Sequence, residues 1–335
     1  MNLLKNLFNN KKSQVKEIVR RINPRVFGFR RYDIIKVFSL PKGMWNDNYI
    51  VEINRKPFVI KIYTKKSKSH DYLFSNSPQK EYFTLETIKD LSVSPRPVYF
   101  EDSRFKFPIL IYEYAYGKTT NLSEEDLFRI TENIAKFQTI PIHKLHFLEE
   151  TSDNPAVMIK EIEEEFRKLK ALPKINPYKT LLLENLIRKA AAYATNESFP
   201  LALSHTDIIP SNIISDGRSI KIIDWQSPTI RDPAYDVWAL ISEVHHKWDL
   251  PYTINEQKKN LVLRRYVELT GDKNVVQRIA QKEVFWLLKA AMYTALRDYE
   301  FKSRKSKKSH SKKRNYSRYE TTLMKILDIL NKKLP

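Results

Sequence analysis

A chain of 335 residues, 42% of them apolar, is long enough for two hydrophobic cores rather than one. It has no cysteine, which excludes disulfides, thiolate catalysis and cysteine-ligated metal centres. The net charge of +20 suits a polyanionic or phosphorylated partner, but nine Lys or Arg fall in residues 302–318, KSRKSKKSHSKKRNYSR, and removing them takes the excess to +11. That acid-free run reads as a solvated loop between two helices, with a weak polyanion contact as the sharper alternative. No apolar run approaches the length of a membrane span and MNLLKNLFNNKK lacks the core of a secretory signal, so the chain reads as soluble and cytoplasmic.

In chain order, Val15, Ile18, Val19 and Ile22 recur at helical spacing, predicting a helix over 13–23. YDIIKVFSL, NYIVEI and KPFVIKIY follow as short β-rich runs separated by LPKGMWND and NRK, predicting at least three antiparallel strands. A helix at about 78–90, the segment VSPRPVYF and the apolar strand FPILIYEY come next, and Gly117 marks a break. Helices dominate afterwards: 123–139 with Ser123 as N-cap, then 155–171, 178–195, 233–246, 255–270, 274–300 and 319–333. The expected fold class is α+β, with a small antiparallel-sheet lobe over 1–115 and a larger, mainly helical lobe over 116–335.

The main non-helical stretch of that second part is LSHTDIIPSNIISDGRSIKIIDW, residues 203–225. It reads as a hairpin-like element whose loops bring His205, Asp207, Asn212 and Asp224 near one another. Two carboxylates and a carboxamide suit a hard, oxygen-liganded cation such as Mg²⁺ and a proton acceptor. Phosphoryl transfer from ATP needs these parts, plus a cation on the phosphates. The kinase signature H-R-D-L-x-x-x-N has its Asn five residues after its Asp and a metal-binding Asp on a later strand, and Asp207, Asn212 and Asp224 reproduce that order. Asp and Asn also favour ordinary turns, but the joint spacing sets this stretch apart.

With its H-T-D-x-x-x-x-N, the following I-I-D-W and the segment DPAYDVWAL at 232–240, the chain resembles the aminoglycoside phosphotransferase and choline kinase superfamily over about 40–295. The resemblance implies a two-lobed, protein-kinase-like fold and ATP with Mg²⁺ as cofactors. It makes Asp207 the catalytic base, Asn212 and Asp224 the metal ligands, and His205 and Asp236 supports of the loop, with an N-cap role the alternative for Asp236. Thr206 stands where the family usually has Gly, and Gln138 in IAKFQTIP where it has His.

In the first lobe, FVIKIY resembles the V-A-I-K strand, which makes Lys61 the phosphate lysine, paired with Glu81 or else Glu86. A lysine on an apolar strand needs such a partner to be buried. Neither G-x-G-x-x-G nor G-x-x-x-x-G-K-[ST] occurs, so a P-loop fold is not supported, while Gly43 to Asn46 resembles the G-x-x-N type loop with which the superfamily often manages. ILIYEYAYG would be the hinge, offering the backbone of Glu113 and Ala115 to the adenine.

Only QSPTIR separates Trp225 from Asp232, leaving no room for the activation segment of protein kinases, so the expected acceptor is a small-molecule hydroxyl on a sugar, amino alcohol or related metabolite. The basic C-terminal part argues against a polycationic aminoglycoside. Trp225, Tyr235, Trp238 and Trp248 could stack on a cation but equally serve as core. The competing class is a pseudokinase or scaffold that binds nucleic acid through 302–318. The intact set of Lys61, Asp207, Asn212 and Asp224 argues against it.

Overall fold

The computed structural model describes residues 2–40, 46–64, 76–173, 175–246, 254–305 and 313–334. The elements run α1 (Asn2–Arg20), β1 (Ile35–Ser39), β2 (Asp47–Ile53), β3 (Lys56–Ile62), α2 (Pro78–Ile88), β4 (Pro97–Glu101), β5 (Ile109–Glu113) and β6 (Lys118–Thr119). Then come α3 (Glu124–Gln138), α4 (Pro155–Lys170), α5 (Pro177–Ala191), β7 (Ala202–Ser204), β8 (Ile213–Ser215), β9 (Ile220–Ile222) and β10 (Thr229–Arg231). The remaining elements are helices: α6 (Ala234–Ile241), α7 (Glu243–His246), α8 (Glu256–Thr270), α9 (Val275–Lys305) and α10 (Lys313–Lys333).

Two compact units emerge, Met1–Thr120 with Asn212–Pro228, and Asn121–Ser211 with Thr229–Pro335. Thus 212–228, which lies in the helical part by sequence order, clusters with the first unit. Its β8 pairs with β6 through Lys118↔Ser215 and Thr119↔Ile214, and Ile222 donates its N–H to the Val93 carbonyl.

The first unit is built on an antiparallel sheet of order β1-β2-β3-β5-β4. Strand β2 alternates buried Tyr49, Val51 and Ile53 with half-exposed neighbours, the period-2 pattern of a sheet with one covered face. The central β3 is buried on both faces from Phe58 to Ile62, so Lys61 sits on a strand without solvent access. Val15, Val19 and Ile22 of α1 and the turn after it lie in one core with Ile53, Phe58, Ile60 and Ile111, each burial contributing about 1.5–3 kcal/mol. Helix α1 begins at Asn2, eleven residues before the predicted start. Gly117, at φ 129°, is dictated by close approach, because a Cβ there would meet the Ser215 carbonyl oxygen at 2.2 Å.

In the second unit the long α9 packs against α4, α6 and α10, and α3 packs against α8. Apolar residues of α3 at helical spacing, Leu127, Ile130, Ile134 and Phe137, are fully buried. Two expectations are corrected. Strand β7 does not form a hairpin with β9; it pairs with β10 through Ser204↔Thr229 and Ala202↔Arg231, while β8 and β9 form their own hairpin around Asp216 and Gly217. The loop expected over 302–318 is helical at both ends, because 302–305 end α9 and 313–318 begin α10. Lys and Arg are good helix formers and the run has no Gly or Pro to stop them. Residues 306–312 lie outside the described residues.

Candidate active site

In the first unit the candidates Glu81 and Asp224 meet at Lys61. Helix α2 starts at the N-cap Ser77, whose side chain accepts from the Lys80 N–H, and this sets Glu81 on the face toward β3. The Lys61 ammonium donates to both Glu81 oxygens at 3.0 and 2.7 Å and to Asp224 Oδ1. Lys61 and Glu81 are 1% exposed at the side chain and Asp224 33%. Burial works to lower the Lys61 pKa, but the carboxylates of Asp224 and Glu81 outweigh it and hold the ammonium above its usual value. Burial pushes Glu81 up, with Lys61 opposing and Asp224 reinforcing. Glu86, the other candidate partner, bonds Lys89 at 3.0 Å instead.

Tyr63 was not anticipated. Its hydroxyl donates to Glu81 Oε2 at 2.6 Å, and burial followed by the Glu81 charge raises its pKa well above normal. The signal was its position two residues after Lys61, on the same face of the strand.

Asn212 and Asp224 lie at one end of the β8–β9 hairpin. The register Ile213↔Ile222, followed by the Ile223 N–H to Asn212 carbonyl bond of 2.8 Å, aligns Asn212 with Ile223, the residue before Asp224. Asp224 has φ 67°, a conformation that Asp tolerates better than most residues. A carboxamide and a partly exposed carboxylate at one hairpin end are an oxygen donor set of the kind Mg²⁺ takes, so these residues fit the ion by their chemistry.

The remaining first-unit candidates are placed as follows. Gly43 lies outside the described residues. Asn46 is buried and committed to the protein: its amide donates to Asn76 Oδ1 at 2.9 Å and Gln226 Oε1 at 3.3 Å, and it accepts from Asn76 at 3.1 Å. It therefore ties the start of β2 to Asn76 and Gln226. The Glu113 N–H donates to the Arg96 carbonyl at 2.9 Å, so Glu113 can address an adenine only through its carbonyl, and its side chain pairs with Lys56. Ala115 follows β5 in non-regular backbone. Trp225 is fully buried, donating to the Ile222 carbonyl at 3.0 Å, and is a core residue; Trp248 lies outside the described residues.

In the second unit the turn 204–207 is organised by Asp236. Its carboxylate accepts from Ser204 Oγ at 2.9 Å, the His205 N–H at 3.1 Å and the Thr206 N–H at 3.0 Å. It caps no helix end, since α6 starts at Ala234 and its N–H is taken by Asp232. Burial raises its pKa to about 6 against these three donors. The buried His205 accepts the Asp207 N–H on Nδ1 at 3.2 Å, which fixes that nitrogen as the unprotonated one. Thr206 sits at φ 70°, which explains why a glycine suits this position. Gln138 spans two groups, donating to the Pro233 carbonyl at 3.0 Å and accepting from the Tyr266 hydroxyl at 2.7 Å.

A model of the phosphotransferase enzyme family matches residues 37–265, more than half of the chain. The chain belongs to that family. No curated protein matches it by sequence. Among solved structures, this family member is similar to the choline kinase from Streptococcus pneumoniae (17% identity, TM-score 0.61), over 95% of this chain and 99% of that one. It is also similar to the ethanolamine kinase from Plasmodium vivax (17%, TM-score 0.62), over 93% and 86% of the two chains. A third is a spectinomycin phosphotransferase solved with ADP and spectinomycin (13%, TM-score 0.61), over 90% and 93%. At these identities the likeness is one of fold, and it bears out the kinase-like α+β architecture. Among the described residues, no helix is long and apolar enough to cross a membrane.

Proposed function

We propose that the protein is an ATP-dependent kinase that transfers the γ-phosphoryl group to a hydroxyl of a small metabolite. The observation that carries this reading is the buried ion set of Lys61, Glu81 and Asp224, because a lysine held cationic in the core by two carboxylates is costly unless it has work to do. Lys61 would bind the α/β-phosphates, Glu81 and Tyr63 would hold it in position, and the carbonyl of Glu113 with the backbone of Ala115 would take the adenine edge. Asn212 and Asp224 would hold Mg²⁺, which supplies charge neutralisation on the phosphates.

Asp207 would accept the proton of the acceptor hydroxyl. The acceptor oxygen forms the new bond to the γ-phosphorus as the bond from that phosphorus to the β–γ bridging oxygen breaks, and ADP leaves with that electron pair. His205 and Asp236 support the turn that carries Asp207. The matched family and the ADP bound to the spectinomycin enzyme support nucleotide-dependent phosphoryl transfer.

The experiment is a metabolite-pool screen for Mg²⁺-dependent ATP consumption by the wild type and Asp207→Asn. The expected result is turnover by the wild type only, with nucleotide binding kept in both. Equal consumption by both would remove Asp207 from the mechanism.

A further inference from the structure

Strand β2 carries a polar side chain that the fold itself does not use. Asn48 pairs directly with Lys61 of β3 in the antiparallel register, and on its other side Lys61 pairs with Leu110 of β5. Residues directly opposite in such a ladder point to the same face with Cβ atoms about 5 Å apart, so the Asn48 carboxamide stands beside the stem of Lys61. That face of β2, with Asn48, Ile50 and Glu52, is the half-exposed one, while Tyr49, Val51 and Ile53 turn into the core. It is also the face on which the Lys61 ammonium reaches Glu81 and Asp224.

Asn48 Oδ1 is enclosed there and meets no hydrogen-bond donor among the described residues. Asn46, two residues earlier, has both ends of its amide bonded. An enclosed oxygen without a donor costs free energy that an apolar side chain of the same size would avoid. The cost is explained if a ligand completes the amide. Beside an ammonium that ligand group is an anion, and the carboxamide can turn end over end about its last bond to offer it Nδ2 while Oδ1 moves out. We propose that Asn48 is a nucleotide-binding residue, its Nδ2 donating to a phosphate oxygen of the nucleotide held by Lys61. This rests on the kinase reading above and adds to it a side chain outside the sequence motifs.

The test combines urea unfolding with calorimetric titration of Mg-ADP on the full chain, for the wild type, Asn48→Leu and Asn48→Asp. Asn48→Leu removes both polar ends at nearly constant volume. Its urea midpoint is expected to equal or exceed that of the wild type, while its affinity for Mg-ADP falls about tenfold or more. Asn48→Asp keeps an acceptor but has no donor, and is expected to weaken Mg-ADP at least as far. A lowered midpoint for Asn48→Leu would show that the carboxamide is bonded within the fold, and an unchanged Mg-ADP affinity that it does not reach the nucleotide. Either result would overturn the inference and leave the kinase reading standing. Affinity kept by Asn48→Asp would put a ligand hydroxyl on Oδ1 and overturn the phosphate assignment. A wild type that binds no Mg-ADP would remove the kinase reading itself, and this inference with it.

Discussion

The two units hold their candidate carboxylates by different means. Around Lys61, side chains far apart in sequence meet one another directly: an ammonium, two carboxylates and a phenol, nearly all without water. Around Asp207, one buried carboxylate, Asp236, gathers backbone N–H groups of a short turn and leaves the turn to present Asp207. The first arrangement stores its energy in charge pairing and is fragile to loss of one partner. The second stores it in hydrogen bonds to the main chain and tolerates changes at the residue it presents.

The largest expected effect follows from the first kind. Lys61→Met leaves Glu81 buried beside Asp224 without a counter-charge and should cost about 3–5 kcal/mol in urea unfolding. Adding Glu81→Gln should restore part of that loss, and no restoration would mean that the two do not act as a pair.

Next comes a pH effect confined to the second kind. Asp236 rises from 3.8 to about 6 on folding, so the native state binds its proton more tightly than the unfolded chain. Its contribution is complete below 3.8 and is lost as pH rises through about 6, about 3 kcal/mol in all at about 1.4 kcal/mol per unit. Relative to Asp236→Asn, which cannot titrate, the wild type should lose stability between pH 4 and 7. A difference that stays flat with pH would contradict the burial assigned to Asp236.

Tyr63→Phe should cost about 2 kcal/mol, because it removes one hydrogen bond to a buried charge, and should weaken ATP binding along with it. Intact affinity would make Tyr63 a packing residue only. The smallest expected effect is a gain: Thr206→Gly relieves a β-branched residue at φ 70° and should stabilise the chain by about 1 kcal/mol, seen as a higher urea midpoint.

How far these features could be read from sequence follows from their range. The sheet strands and the apolar stripe of α3 were legible because long periodic runs declare their faces, and Lys61 because a lysine inside FVIKIY demands a partner. The pairing of Ala202–Ser204 with Thr229–Arg231 was not, since three-residue strands have no period to read. The Asn46–Asn76–Gln226 network joins residues 30 and 180 positions apart, and nothing local announces it. Thr206 was visible as a departure from glycine, but its left-handed backbone is a property of the turn that Asp236 holds. Helix continued at both ends of the basic run because propensity outweighed the solvation expected of clustered charge.

In the proposed mechanism Asp207, set on its backbone-held turn, directs the phosphoryl group to a hydroxyl rather than to water. Phosphorus NMR of a reaction containing wild type, Mg-ATP and a pool of sugars, polyols and amino alcohols measures this directly. A new phosphomonoester resonance should grow in step with ADP and be absent with Asp207→Asn. Inorganic phosphate growing in step with ADP and no phosphomonoester, or the same products at the same rate from both proteins, would contradict it.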